Sequence, residues 1–305
     1  MNQYLENFLR YLADEQSKSS NTLEAYKRDI LSFQKFLSYN RAYGLLDANN
    51  ADIVAYLLHL RDEGKSVATS NRRVAALRSF YEYLLDNNIL SINPTDNVKS
   101  PKVKRTALEY LSIEEVEKLL SMPDDTPKGI RDRAVLEVLY ATGIRVSELI
   151  LADVSDINLK MGFFTCTGEH GKARIIPMGK PARVAMEAYL SNAREQFIKK
   201  QNSEETDIKF SEMPLFVNYF GERMTRQGLW KIIKEYAAAA GIENKITPQT
   251  LRNSFAVHML QNGADIKSLQ ELMGHDDISA MQIYLSVTAN RIKDVYDRTH
   301  PRAKW

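Results

Sequence analysis

"TPQTLRNSFAVHMLQNGADIKSLQELMGHDDISAMQIY" spans residues 247–284 and sets Arg252, His275 and Tyr284 among apolar residues at helical spacing. Thr247 is a good N-cap, and Pro248 suits the first helical position. Leu251, Phe255 and Met259 then fall on one face, with Arg252 beside that stripe. An arginine at the edge of an apolar face commonly snorkels or pairs structurally, whereas the sharper reading aims its guanidinium at a phosphate. Gly274 closes a helix, His275 follows, and an acidic turn opens a new helix that carries Tyr284. A tyrosine on an amphipathic helix is most often core. The stretch therefore reads either as core with stray polar residues, or as an anion binder, an imidazole and a phenol held for one reaction. Gln249 and Asn253, the amides on either side of Arg252, raise the same question.

Upstream of this stretch the pattern is mixed. "SIEEVEKLLSM" and "GIRDRAVLEVLYATG" have helical periodicity, while "DINLKMGFFTCTGEHGKARIIPMG" is rich in β-branched and aromatic residues. The latter reads as short antiparallel strands with a glycine-containing turn at residues 168–171. From Pro181 onward the chain is mostly helical, broken by one short apolar run, "LFVN". Arg145 stands just past Gly143 at the start of a helix, where free N–H groups favour an anionic oxygen; the plainer reading pairs it with Glu148. A small antiparallel sheet among many helices defines a mainly α, α+β second domain.

Residues 1–93 read as helices only. Leu5, Phe8, Leu9 and Leu12 make one stripe; Leu23, Tyr26, Ile30, Phe33 and Phe36 make a second, after a cap at Ser20 or Asn21. "ADIVAYLLHLRDEG" and "VATSNRRVAALRSFYEYLLDNN" complete a four-helix bundle. Pro94 and Pro101 interrupt the next stretch, residues 94–107, which is basic through Lys99, Lys102, Lys104 and Arg105. It reads as an interdomain linker, either solvated or lying as a strap along a phosphate backbone. Residues 108–305 form the second domain.

Composition sets bounds. The chain has 305 residues, 41 of them basic and 39 acidic, for a net charge of +2, so any nucleic-acid surface must be local. Cys166 is the one cysteine, which excludes an internal disulfide and any multi-cysteine metal site. The histidines form no ligand pair at helical spacing, so no metal site is expected. The N-terminus lacks a signal-peptide pattern and no apolar run approaches spanning length, so a cytoplasmic protein without a membrane segment is expected.

Taken in order, "NTLEAYKRDILSF", "RDRAVLEVLYATGIRVSEL", "LFVNYFGERMTRQGLWKIIK", "GADIKSLQELMGHDDISAMQIY" and the closing "HPRA" resemble the tyrosine recombinase (phage integrase) family, most closely its Xer-type members. The likeness covers almost the whole chain. It implies a SAM-like core-binding domain followed by an integrase-type catalytic domain. It also implies DNA cleavage and rejoining through a 3′-phosphotyrosyl bond, with no metal or other cofactor. Tyr284 matches the nucleophile, Arg145 and Arg252 the two arginines, and His275 the second histidine-type position. Fixed guanidinium and imidazole donors then meet the transition-state charge.

Two positions depart from the family pattern. Gln249 stands where the family usually has histidine in H-x-x-R, and an amide cannot take a proton near neutral pH. Asn253 replaces a further histidine common in Xer-type proteins. In the hairpin motif G-K-G-x-K-x-R, "GEHGKAR" puts Glu169 at the lysine that protonates the leaving group. Losing a general acid costs a factor of roughly 10² to 10⁴. A carboxylate about 5 Å from the phosphate adds about 3 kcal/mol of repulsion at an effective dielectric of about 20. Lys172 matches the motif's second lysine, and Lys172 or His170 is the candidate substitute. An active recombinase and a catalytically impaired DNA-binding paralogue, acting as an accessory subunit, both remain open.

The resemblance further implies a clamp around double-stranded DNA at paired half-sites, by a homo-oligomer (a tetramer on DNA) or a heteromer with a related recombinase. Arg72 and Arg73 are expected near phosphates, with Lys27 and Arg28 as weaker candidates and Arg226, Gln227, Lys231 and Lys234 at a second helix start. The tail is expected to pack into a neighbouring protomer through Val295 and Tyr296.

Overall fold

The computed structural model describes residues 3–40, 44–101, 107–168, 173–198, 210–242, 246–275 and 281–285. The chain divides into two compact units, Met1–Thr106 and Ala107–Trp305.

The first unit is built from α1 (Gln3–Asp14), α2 (Ser20–Asn40), α3 (Asn50–Asp62) and α4 (Val67–Asp86). Their apolar stripes meet in one core of Leu5, Phe8, Ile30, Phe33, Tyr56 and Phe80, among others. The cap of α2 is Ser19, whose hydroxyl accepts from the Thr22 N–H at 3.4 Å, rather than Ser20 or Asn21. Asn49 caps α3 by accepting from the N–H groups of Ala51 and Asp52.

Residues 93–101 pack onto this bundle instead of standing free. Asn50 Nδ2 donates to the Asp96 carbonyl at 2.8 Å, Arg78 to the Val98 carbonyl at 3.0 Å and Asn71 to the Pro101 carbonyl at 3.0 Å. Backbone carbonyls that a strap would leave to solvent are thus taken by side chains of α3 and α4. Lys99 is exposed there, whereas Lys102, Lys104 and Arg105 lie outside the described residues.

The second unit starts with α5 (Ile113–Ser121), α6 (Pro127–Thr142) and α7 (Val146–Leu151). Strands β1 (Ile157–Asn158), β2 (Phe163–Thr167) and β3 (Ala173–Pro177) then form an antiparallel sheet in the order β1-β2-β3. The register pairs Phe164 with Ile176 and Cys166 with Arg174. Alternation puts these four on one face, while Ile175 on the other is 64% exposed. The chain continues through α8 (Lys180–Ala188), a π-helical turn at Tyr189–Ala193, α9 (Arg194–Ile198), α10 (Arg226–Ala239), α11 (Pro248–Gln261) and α12 (Ile266–Met273). A last helical stretch, residues 282–285, carries Tyr284. The fold is mainly α with a small antiparallel sheet, as the sequence pattern anticipates. No helix among the described residues is long and apolar enough to cross a membrane.

Helix α11 departs from the amphipathic reading. Every residue from Thr250 to His258 is buried, Arg252 included at 4% exposure. It crosses the unit as a central helix, with α6 on one side and α12 on another. Arg252 therefore does not snorkel to solvent. It is held inside by hydrogen bonds.

Candidate active site

Two segments converge on Arg252. Its Nη1 donates to the Gly143 carbonyl, and its Nη2 donates to the Met273 carbonyl at 2.6 Å. The same Nη2 lies 3.1 Å from His275 Nε2. Arginine only donates, so Nε2 is the acceptor in this contact. Burial lowers the Arg252 pKa to about 10, with Arg145 adding to the shift, and the group stays charged at neutral pH.

Gly143 and Gly274 let these segments approach. Both adopt left-handed backbone, at φ 57° and 62°. A Cβ at Gly143 would sit 2.2 Å from the Phe255 ring on α11, and one at Gly274 would sit 2.7 Å from Arg174 Nη1. Only glycine satisfies both the torsion and the contact.

Just past Gly143, Arg145 precedes α7. Its Nη2 donates to the Gly274 carbonyl at 2.6 Å and its Nη1 to Glu148 at 3.1 Å. The pairing with Glu148 and the place in the site thus coexist. Arg174, on the inward face of β3, donates two hydrogen bonds to the same carboxylate at 2.7 and 2.8 Å, and its Nε donates to the Leu272 carbonyl at 2.8 Å. Burial would raise the Glu148 carboxyl, but hydrogen bonds and charge from Arg174 and Arg145 hold it below the usual carboxylate range.

A single device therefore orders three guanidiniums. The carbonyls of Leu272, Met273 and Gly274, at the C-terminal end of α12, accept from Arg174, Arg252 and Arg145 in turn. These carbonyls lie where an α-helix has no intrahelical donors left and where its dipole favours cations.

Tyr284 lies at 3% exposure in a cluster with Phe255, Met273 and Met281. The core reading of Tyr284 holds. Its hydroxyl donates to Asn253 Oδ1 at 3.1 Å. Gln249 Nε2 donates to the same oxygen at 2.9 Å. Burial raises the phenol pKa against the opposing pull of Arg252 and Arg145.

Arg145, Arg252, His275 and Tyr284 thus belong to one connected site, with Gln249 beside it. Glu169, His170 and Lys172 lie outside the described residues. Sequence reasoning missed Arg174 and the bracing role of Glu148. The available signal was positional, since Arg174 stands at the final arginine of the hairpin motif and shares a strand face with buried Ile176.

The residues expected near DNA divide by exposure. Arg28, Arg226, Lys231 and Lys234 are exposed and Lys27 is half-buried. Arg72 pairs with buried Asp29 while its own side chain is 42% exposed. Arg73 points inward: it donates to Ser32 Oγ at 2.8 Å and Tyr56 Oη at 2.7 Å, with only 16% of its side chain exposed. Its guanidinium joins α4 to α2 and α3. The tail with Val295 and Tyr296 lies outside the described residues.

The profile of the phage integrase family matches residues 109–291, and that of the phage integrase N-terminal SAM-like domain matches residues 5–88. The chain is 44% identical over 300 residues to a tyrosine recombinase XerD of Oceanobacillus iheyensis, covering 98% of each chain. It is 40% identical to a tyrosine recombinase XerC of Roseiflexus castenholzii, covering 99% of this chain and 95% of that one. Among solved structures, a XerH site-specific recombinase bound to palindromic difH substrate superposes with a TM-score of 0.75 at 20% identity, over 96% of this chain and 94% of that one. With the family profile matched across its second unit and such relatives spanning nearly its full length, the chain belongs to the phage integrase family.

Proposed function

We propose that this protein is a site-specific DNA recombinase that cuts and rejoins duplex DNA through Tyr284. The observation carrying this reading is that two guanidiniums, an imidazole and a phenol from separated segments meet at one site. In the proposed step the Tyr284 oxygen attacks phosphorus, a phosphotyrosyl bond forms at the 3′ end, and the bond from phosphorus to the 5′-oxygen breaks. The phenolic proton leaves to an acceptor and the departing 5′-oxygen takes one up. Arg145 and Arg252 meet the charge on the non-bridging oxygens, an electrostatic role that fixed donors fill without reorganising. Phosphodiester energy is kept in the covalent bond, so rejoining needs no outside energy source. Lys172 is the candidate donor to the 5′-oxygen, with Glu169 and Gln249 at the two altered proton-transfer positions. The partner is double-stranded DNA with paired half-sites, bound by an oligomer of this chain or a heteromer with a related recombinase. The names of the relatives support this reading: they are tyrosine recombinases.

The test is incubation with nicked, end-labelled target duplex. A denaturation-resistant protein–DNA adduct that disappears in Tyr284→Phe is expected. Tight binding with no adduct from the wild type would overturn the cleavage reading and mark the chain as an accessory DNA-binding subunit.

A further inference from the structure

We infer that Asn253 is a positioning residue for Tyr284, an amide anchored on two sides that fixes where the phenolic proton points. The inference rests on Tyr284 being the nucleophile. Asn253 Nδ2 donates to the Glu109 carbonyl at 2.9 Å, an acceptor that only the amide nitrogen can satisfy. The orientation of the side chain is thereby set, and Oδ1 faces the site. That oxygen accepts from Gln249 Nε2 at 2.9 Å and from the Tyr284 hydroxyl at 3.1 Å. Two donors fill its two lone pairs. Since Oδ1 carries no hydrogen, the phenol must be the donor, and its own lone pairs point away from Asn253.

An amide at 7% exposure, held from both sides, is a rigid partner. It also cannot accept a proton near neutral pH. The contact therefore holds Tyr284 neutral and in place, and cleavage requires the proton to pass to another group. A phenolate in the same position would face the negative end of the amide dipole. Among the described residues, the charged groups acting on Tyr284 include Arg252 from α11 and Arg145 from the segment before α7, and both favour the phenolate. His275, after α12, bears on Arg252. Asn253 opposes these cations. This gives a physical role to the pair of amides beside Arg252: Gln249 occupies one lone pair so that the other is aimed at the phenol.

The test titrates Tyr284 in the full chain, carrying ¹³Cζ-tyrosine, with its resonance identified by loss in Tyr284→Phe. Two variants of similar size are compared with wild type. In Asn253→Asp the carboxyl is ionised at the alkaline pH where the phenol titrates, and the midpoint is expected to rise by about one pH unit. In Asn253→Leu the acceptor is gone, and the midpoint is expected to fall. The pH at which adduct formation on nicked duplex reaches half its maximum should move with each midpoint. Two midpoints displaced in the same direction, or unmoved with only the adduct yield reduced, would overturn the inference and leave Asn253 a packing residue. Opposite displacements in a protein that forms no adduct at any pH would uphold the contact and overturn Tyr284 as nucleophile.

Discussion

Glu148 accepts from Arg145 and Arg174 while only 7% of its side chain is exposed. Its carboxyl is the counter-charge that lets the guanidiniums sit close together. Removing one partner of a buried pair leaves an uncompensated charge and costs about 3 kcal/mol. Glu148→Gln is therefore expected to destabilise the second unit by about that amount, read from urea unfolding at neutral pH. The sign of the pH dependence follows from the lowered pKa of Glu148. Its contribution is complete above the ordinary value of 4.5 and is lost as pH falls through the lower folded value. The stability gap between wild type and Glu148→Gln should accordingly close on acidification; a gap constant from pH 7 to pH 3 would contradict the assignment. Glu169 poses a different residue-scale question. If it occupies the place of the leaving-group acid, Glu169→Lys should speed adduct formation by roughly 10²-fold or more. An unchanged rate would assign the proton to Lys172 or His170. Of the candidate site, Tyr284, Arg145, Arg252 and His275 were legible because each sits in a motif whose spacing survives intact. Asn253 was visible only as an oddity. Its role depends on the carbonyl of Glu109, at the far end of the unit's sequence, and no local pattern announces a backbone acceptor.

At the scale of elements, α12 orders the site by its end rather than by its face. Three successive carbonyls, those of Leu272, Met273 and Gly274, each receive one arginine. Gly274 is the critical position, because its φ is 62° and a Cβ there would sit 2.7 Å from Arg174 Nη1, displacing that side chain. Gly274→Ala is expected to cost about 2 kcal/mol from the left-handed backbone alone. The displaced Arg174 should in turn slow adduct formation more than the stability loss explains, measured at a temperature where the variant is fully folded. Normal adduct kinetics in a folded Gly274→Ala protein would show that the carbonyl clamp is dispensable. The helices were readable because capping residues and apolar spacing are local. Thr247, Pro248 and Gly274 bracket α11 and α12 as expected. The burial of α11 on all sides was not readable, since a stripe of Leu251, Phe255 and Met259 predicts one buried face. What buries the rest is tertiary: the Gly143 and Met273 carbonyls satisfy Arg252, and the Glu109 carbonyl satisfies Asn253. Polar residues paired in this way enter a core that periodicity would assign to solvent. The same holds for residues 93–101, whose two prolines and Lys99 suggest a free linker while Asn50, Asn71 and Arg78 take their carbonyls.

For the whole molecule, the near-balance of charge means that a grip on DNA must come from local cations, and the two classes of arginine in the first unit separate by experiment. Arg28 on α2 is exposed, so as a phosphate contact it contributes counterion release and little to folding. Arg73 on α4 is bonded to Ser32 and Tyr56 and lies near Asp29, so it contributes to folding. Binding of duplex DNA should weaken steeply as salt rises, with log K falling linearly in log salt. Arg28→Ala should reduce that slope by about 0.9 while leaving thermal unfolding of the first unit unchanged. Arg73→Ala should do the reverse. Removing its guanidinium leaves Asp29 with fewer partners at 1% exposure, where burial already raises its carboxyl pKa against the pull of Arg72 and Arg73. A loss of about 2 kcal/mol in the first unit is expected, with an unchanged salt slope under conditions where the variant is folded. A reduced slope in Arg73→Ala with undiminished stability would return Arg73 to the DNA-facing surface and would mean that its bonds to Ser32 and Tyr56 yield to phosphate.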